Sequence, residues 1–342
     1  MPIAISLRGC EVFPGVNDVS ARDGGRLALV FVQLGLDWPN GLGVCCRRAI
    51  GRLFRQSNEL IWPITVCGAY TLFAYYKRRK ESDPLVVFVL GSTGQILLIP
   101  LFMTPLTYVA ATFNLPFKDI GLNAIDQALG LDWFSYFNFI YGHHALLVCA
   151  VWSYAMINWQ TFGVPVILGM AHRYQRLQEF TLAFGLALII TAFISIFVPA
   201  MGTYDLLNYL PDPEIFTPSA YVDYLRVQPL IRAGHLRELD LWSLIGIVTF
   251  PSFHAATAVL YLWAFWGVKW FRLIAAPMNG AMILATPLVG GHYFIDVFAG
   301  IAVAVVSILL ARQIAELVLS VTGSELISTS RTTGPVVGAS RD

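Results

Sequence analysis

Near the end of the chain, "GGHYFIDVFAG" (residues 290–300) sets His292 and Asp296 four positions apart inside an otherwise apolar run. On a helix the i, i+4 spacing puts both side chains on one face. A carboxylate there accepts the proton of one imidazole nitrogen, fixes the tautomer, and leaves the other nitrogen its lone pair for use as nucleophile or base. A second histidine, His254, lies in "TFPSFHAATA", with Ser252 two residues ahead of it. Pro251 and Ser252 stand where a helix would begin, Pro suiting the first helical position and Ser the cap. The free amides of such a helix end attract phosphate oxygens. Gly290 and Gly291 would let a backbone or a substrate come close to His292, or would serve a turn or helix packing. A lone histidine at a span end reads as an interfacial residue. An aspartate is different: at a helix centre it costs about 2.5–3.5 kcal/mol on insertion scales, and inside a span it marks a functional pair.

The elements that hold these residues are membrane helices. The chain has 342 residues, of which 57% are hydrophobic and 13% charged, and its mean hydropathy is +0.66. That is the composition of a polytopic membrane protein, an all-α helix bundle. A helix needs about 20 apolar residues to cross the hydrocarbon layer. Apolar stretches of about that length fall at 59–76, 85–108, 134–158, 178–200, 252–270, 273–290 and 293–315. The segment "FGVPVILGMA" (162–171) is shorter and suits a re-entrant piece or a bend, and 26–39 suits an interfacial segment. From His254 the chain runs down about 18 residues, turns at "KWFR" and climbs about 18 more to Gly290, two legs of about 27 Å. His254 and His292 therefore return to one membrane face.

Basic clusters orient the bundle, because short cytoplasmic loops are rich in Lys and Arg. "KRRK" (77–80), "HRYQR" (172–176) and "KWFR" (269–272) fall on one side, which should be cytoplasmic. The loops 109–133 and 201–251 and the turn before His292 then face the extracytoplasmic side. "RRAIGRLFRQ" (47–56) breaks the pattern; either it is an interfacial helix or 59–76 does not cross. Five scattered cysteines, Cys10, Cys45, Cys46, Cys67 and Cys149, give neither a disulfide framework nor metal-ligand spacing. No cleaved signal peptide is expected, since charges interrupt the first 25 residues. The net charge of +1 says little about partners, and no feature points to nucleic acid. We divide the chain into an N-terminal region (1–84), a membrane catalytic domain (85–316) and a polar, disordered tail (317–342).

"PSFHAA" followed one hairpin later by "GGHYFIDVFAG" resembles the second and third signature motifs of the phosphatidic acid phosphatase type 2 superfamily. Within it, the chain is most similar to the aureobasidin-resistance, or inositol phosphorylceramide synthase, branch. There a bulky residue sits between Ser and His, and an aromatic follows the second His. The two motifs and their hairpin cover about 50 residues, and residues 85–315 suit the family's six-span layout. The resemblance implies that His292 attacks the phosphorus of a lipid phosphate ester while Asp296 orients its ring. It implies that His254 protonates the departing alkoxide and then serves as base for water or an alcohol, and that Ser252 binds a phosphoryl oxygen. It also implies no metal and no organic cofactor, with a membrane lipid as substrate and a lipid alcohol as a candidate acceptor.

Two departures stand out. The arginine that usually precedes the nucleophilic histidine by six residues is Thr286 here, and the first motif is not visible. Arg226, Arg232 and Arg237, in "RVQPLIRAGHLRELD", are the loop cations available to bind phosphate. His143 and His144 sit near the middle of a candidate span, as acceptor contacts or as a structural pair. The leading reading is a lipid phosphotransferase or phosphatase. The alternatives are hydrolysis alone, a non-catalytic lipid transporter or scaffold on the same fold, and a metal site of His254, His292 and Asp296.

Overall fold

The computed structural model describes residues 84–236 and 245–332, together with Gly68. The candidate span 59–76, the segments at 26–39 and 47–56, the "KRRK" run, Arg237 and every cysteine but Cys149 lie outside the described residues. Among those described, every regular element is a helix: α1 (Pro84–Ala111), α2 (Asp119–Ala128), α3 (Trp133–Tyr141), α4 (His144–Met170), α5 (Tyr174–Phe197), α6 (Thr203–Leu206), α7 (Ser219–Arg232), α8 (Phe253–Phe265), α9 (Phe271–Val289) and α10 (Phe294–Thr332). In hydrocarbon a segment must satisfy its own backbone donors and acceptors, which leaves the helix as the available form for these apolar runs. By length and composition α1, α5, α9 and α10 each suffice to cross a membrane, and the bent pair α3–α4 suffices as one broken span. The chain is an all-helical, membrane-embedded protein.

Three expectations need correction. The candidate span 134–158 is not continuous, because α3 and α4 meet at 108° across Gly142 and His143. His143 and His144 are therefore exposed at a corner and not mid-span. Residues 162–171 form no separate bend; they are the last turns of α4, with Pro165 inside the helix. Third, the span drawn at 252–270 is the 13-residue helix α8, about 20 Å long at 1.5 Å per residue. Helical backbone also continues to Thr332, beyond residue 317, where the sequence places the onset of the polar tail.

The helix α8 is central to the bundle, packing against α4, α5, α9 and α10. Ala183 and Ala187 of α5, Ala256 and Ala264 of α8, and Ala304 and Ala311 of α10 are all fully buried. Such small residues let helices approach closely where no hydrophobic effect drives them together. Polar pairs tie the helices laterally. Asn279 of α9 donates to Gln160 of α4 at 2.8 Å, and the hydroxyls of Thr161 and Tyr261 join α4 to α8 at 2.7 Å. At the end of the bundle holding residues 290–293 the core changes character. Trp133, Phe137, Tyr204, Tyr221 and Tyr224 form an aromatic cluster with Leu288, built from α3, α6 and α7 over the end of α9.

Candidate active site

The two histidine motifs meet where α8 and α10 begin. Ser252 is the N-cap of α8, its hydroxyl accepting from the Ala255 N–H at 3.4 Å. Pro251 precedes the cap instead of occupying the first helical position, behind a cis Phe250–Pro251 bond. The Ser252 N–H donates to the backbone carbonyl of Asp296 at 3.0 Å, so the start of α8 is bonded to the first turn of α10. Gly300 makes this approach possible, since a Cβ there would collide with the Ser252 carbonyl.

His292 lies in the loop just ahead of α10 and is buried. Its Nδ1 is 3.4 Å from Asp296 Oδ2 and its Nε2 is 3.5 Å from Ser252 Oγ. The same Oδ2 accepts the Tyr293 N–H at 2.9 Å, whereas the buried Oδ1 has no hydrogen-bond partner among the described residues. Asp296 itself is completely buried. One imidazole nitrogen therefore faces a carboxylate and the other faces the serine at the helix cap. Gly291, at φ +65°, takes the left-handed turn that delivers His292 to this position. Its carbonyl accepts the Thr203 N–H at 2.9 Å.

The loop is held by groups that sequence reading did not single out. Asp126, on α2, accepts the N–H groups of Phe294 and Ile295 at 2.7 and 2.9 Å, satisfying free donors at the start of α10. Burial raises the Asp126 carboxyl above its ordinary range, and the two N–H donors pull it back only in part. Asp119, one face along the same helix, accepts from the N–H groups of Met201 and Gly202 and from the Tyr293 hydroxyl, at 2.9, 2.7 and 2.9 Å. At the other end of the loop, aromatic donors bind the last carbonyls of α9. Trp133 Nε1 donates to Pro287 at 3.0 Å, Tyr204 Oη to Leu288 at 2.5 Å, and Tyr136 Oη to Leu284. The signal for the acidic pair was present: two carboxylates at i, i+7 fall on one face of a short helix.

His254, in the first turn of α8, is held differently. Its ring stacks on Tyr154 of α4, centroids 3.9 Å apart and planes within 10°. The Tyr154 hydroxyl is 3.1 Å from His254 Nδ1. Gly290 closes the set. A Cβ at that position would lie 2.8 Å from Tyr154 Oη and 2.5 and 3.0 Å from His292 Cδ2 and Nε2. The glycine thus lets the Tyr154 hydroxyl and the His292 ring crowd against the same point of the backbone, where no side chain would fit.

The candidate cations are elsewhere. Arg226 is exposed and pairs with Asp223 at 3.7 Å. Arg232 donates to the Leu115 carbonyl at 2.7 Å and lies 3.9 Å over the Phe117 ring. Neither joins His254, Ser252 and His292, and Arg237 is outside the described residues. Thr286 is fully buried and donates back to the Met282 carbonyl at 2.8 Å. Among the described residues no group of three His, Cys, Asp or Glu side chains is arranged to hold a metal ion.

The basic turns occupy the opposite end of α8. Arg176, in the first turn of α5, sits 4.1 Å over the ring of Trp263, ten residues from the Phe253 start of α8; Lys269 follows in the α8–α9 turn and Arg272 in the first turn of α9.

This is a helical membrane protein whose two histidine motifs converge at one end of the bundle. Residues 120–310, more than half of the chain, match the family model described as the PAP2 superfamily, and the chain belongs to that superfamily. Its members are in general phosphatases and phosphotransferases of lipid phosphates. No curated protein and no solved structure matches the chain.

Proposed function

We propose that this protein is an integral membrane phosphotransferase or phosphatase that works on lipid phosphate esters through a phosphohistidine at His292. The observation that carries the reading is the two-sided environment of His292, with Nδ1 toward Asp296 and Nε2 toward the Ser252 cap. With its Nδ1 proton held by Asp296, the ring presents the Nε2 lone pair to phosphorus. As the N–P bond forms, the P–O bond to the lipid alcohol breaks and His254 gives its proton to the departing oxygen. In the second half, water or an alcohol attacks phosphorus, His254 takes the incoming proton, and the N–P bond breaks. Ser252 and the amides at the start of α8 hold phosphoryl oxygens.

The texture of the two motifs favours transfer of a phosphorylated head group, of the inositol-phosphate kind, to a lipid alcohol over simple hydrolysis. Arg226, Arg232 and Arg237 are left as cations of the outer loop that attract the anionic substrate. The basic residues Arg173, Arg176, Lys269 and Arg272 at the far end of the bundle support, by the positive-inside rule, a site on the extracytoplasmic face.

The test offers purified protein a panel of lipid phosphates, phosphoinositides and ceramides and compares product masses with and without an alcohol acceptor. Products should carry phosphorus to water or to the acceptor, and radiolabelled phosphorus should be trapped on the chain as an acid-labile, alkali-stable adduct. His292→Ala should abolish both; full turnover by that variant sinks the assignment. Thr286, a buried neutral residue where the superfamily pattern has arginine, favours one second reading, a catalytically silent lipid transporter or scaffold. Lipid movement unaffected by removing His254 and His292, with no trapped phosphorus, would support that instead.

A further inference from the structure

Given the phosphohistidine reading, on which this inference rests, the site is short of donors for the phosphoryl group. A phosphoryl centre under attack spreads negative charge over its outer oxygens and needs donors already aimed at them. Ser252 supplies one hydroxyl and the start of α8 its amides, but Arg226 and Arg232 are bound elsewhere, and Thr286 has turned its hydroxyl into its own helix. Tyr154 brings a further hydroxyl close to both histidines. That hydroxyl lies 3.1 Å from His254 Nδ1 and 2.8 Å from the point a Gly290 Cβ would take, with His292 Nε2 3.0 Å from the same point, so it stands between the two histidines.

We propose that the Tyr154 hydroxyl donates a hydrogen bond to an outer phosphoryl oxygen and is a further catalytic residue of this site. The ring stack is the device that aims it. With the planes of Tyr154 and His254 within 10° and 3.9 Å apart, the hydroxyl lies over the edge of the imidazole, away from the in-plane direction of the Nδ1 lone pair. Its proton is thus available to a third group entering between the two histidines. A phosphorus about 3 Å from His292 Nε2, at near-attack distance, brings an outer oxygen toward Tyr154 while the ester oxygen faces His254. The neutral donor supplies part of the charge stabilisation that a cation would otherwise give. The aromatic face also attends His254 whenever that ring is protonated.

The experiment uses the full chain in nanodiscs and Tyr154→Phe, which keeps the stack and removes only the hydroxyl. The probes are orthovanadate, which mimics the five-coordinate phosphoryl group, and two esters, phosphatidate and p-nitrophenyl phosphate. Tyr154→Phe should weaken vanadate binding, and it should slow phosphoenzyme formation by about 10²-fold, the scale for losing one preorganised donor, to the same degree for both esters. His254→Ala should slow phosphatidate far more than the aryl ester, whose nitrophenolate leaves without a proton. Unchanged vanadate affinity in Tyr154→Phe, or a loss confined to phosphatidate, overturns the proposal, since Tyr154 would then act only through His254. Wild-type protein that binds no vanadate overturns the phosphohistidine reading as well, whereas vanadate binding abolished by His292→Ala but untouched by Tyr154→Phe overturns this inference alone.

Discussion

His292 and His254 share one end of the bundle and are held by opposite means. His292 is buried, backed by Asp296, and its loop is bonded at both ends, by the Asp126 carboxylate on one side and by Trp133 and Tyr204 on the other. His254 is half-buried, has no carboxylate partner among the described residues, and lies under an aromatic ring. The difference matches what each must do. A nucleophile needs one lone pair kept at one nitrogen, which a carboxylate at the other nitrogen ensures. A group that gives up a proton in one half-reaction and takes one in the next is better held by its ring plane, because a stack fixes orientation without fixing protonation.

Asp296→Asn is the hardest blow to this contrast short of removing His292. The asparagine amide would donate to Nδ1, force the proton onto Nε2 and so consume the lone pair that attacks phosphorus. Phosphoenzyme formation should fall by about 10⁴-fold, as when the aspartate of a catalytic triad is made asparagine, and with every ester alike. His254→Ala should cost about 10³-fold with an alkyl ester, within the range for a general acid, and much less with an aryl ester. Single-turnover rates for the two leaving groups check both. Equal losses for both esters in His254→Ala would erase the division of roles. Gly290→Ala tests the space between the two rings. Its Cβ would press on His292 and on the Tyr154 hydroxyl, and a displacement of that size at a reacting group is worth about 10²-fold in rate. Wild-type rates in this variant would mean that the gap is not where phosphorus sits.

Much of this arrangement was legible before any coordinates. The i, i+4 pair and the return of His254 and His292 to one end followed from spacing and helix rise, and they survive even though α8 is only 13 residues long, because α9 runs back 19. What escaped reading depended on contacts between distant segments. Tyr154 is one of 14 tyrosines in an apolar run, and its partner is 100 residues away. The bend ahead of α4 was invisible to hydropathy because both arms are apolar. Asp119 and Asp126 passed unread because their partners are a tyrosine hydroxyl and backbone N–H groups 82–174 residues distant, which no side-chain pattern announces. The arginines misled in the reverse sense, since charge and proximity in sequence drew attention to side chains that solvent and the α1–α2 connection occupy.

The smallest effect tests the scaffold beneath the nucleophile. Asp126 accepts two N–H bonds from the first turn of α10, yet burial raises its carboxyl above the ordinary range. For an acid raised in the folded state, the fold binds more protons than the unfolded chain between the two pKa values, so stability falls as pH rises through that window. Asp126→Asn keeps one acceptor, leaves one N–H unsatisfied at a cost of about 1–3 kcal/mol, and has nothing to titrate. The wild-type advantage should therefore be largest at and below the ordinary carboxylate pKa and shrink as pH rises above it. Thermal unfolding midpoints of the two proteins in detergent, taken across that range, give the gap directly. A gap that widens with pH would mean that the ionised carboxylate is the better clamp, and that the N–H bonds outweigh the burial of its charge. In that case the start of α10 would be held electrostatically, as Asp296 holds His292, and the nucleophile's side of the site would rest on two buried anions in series.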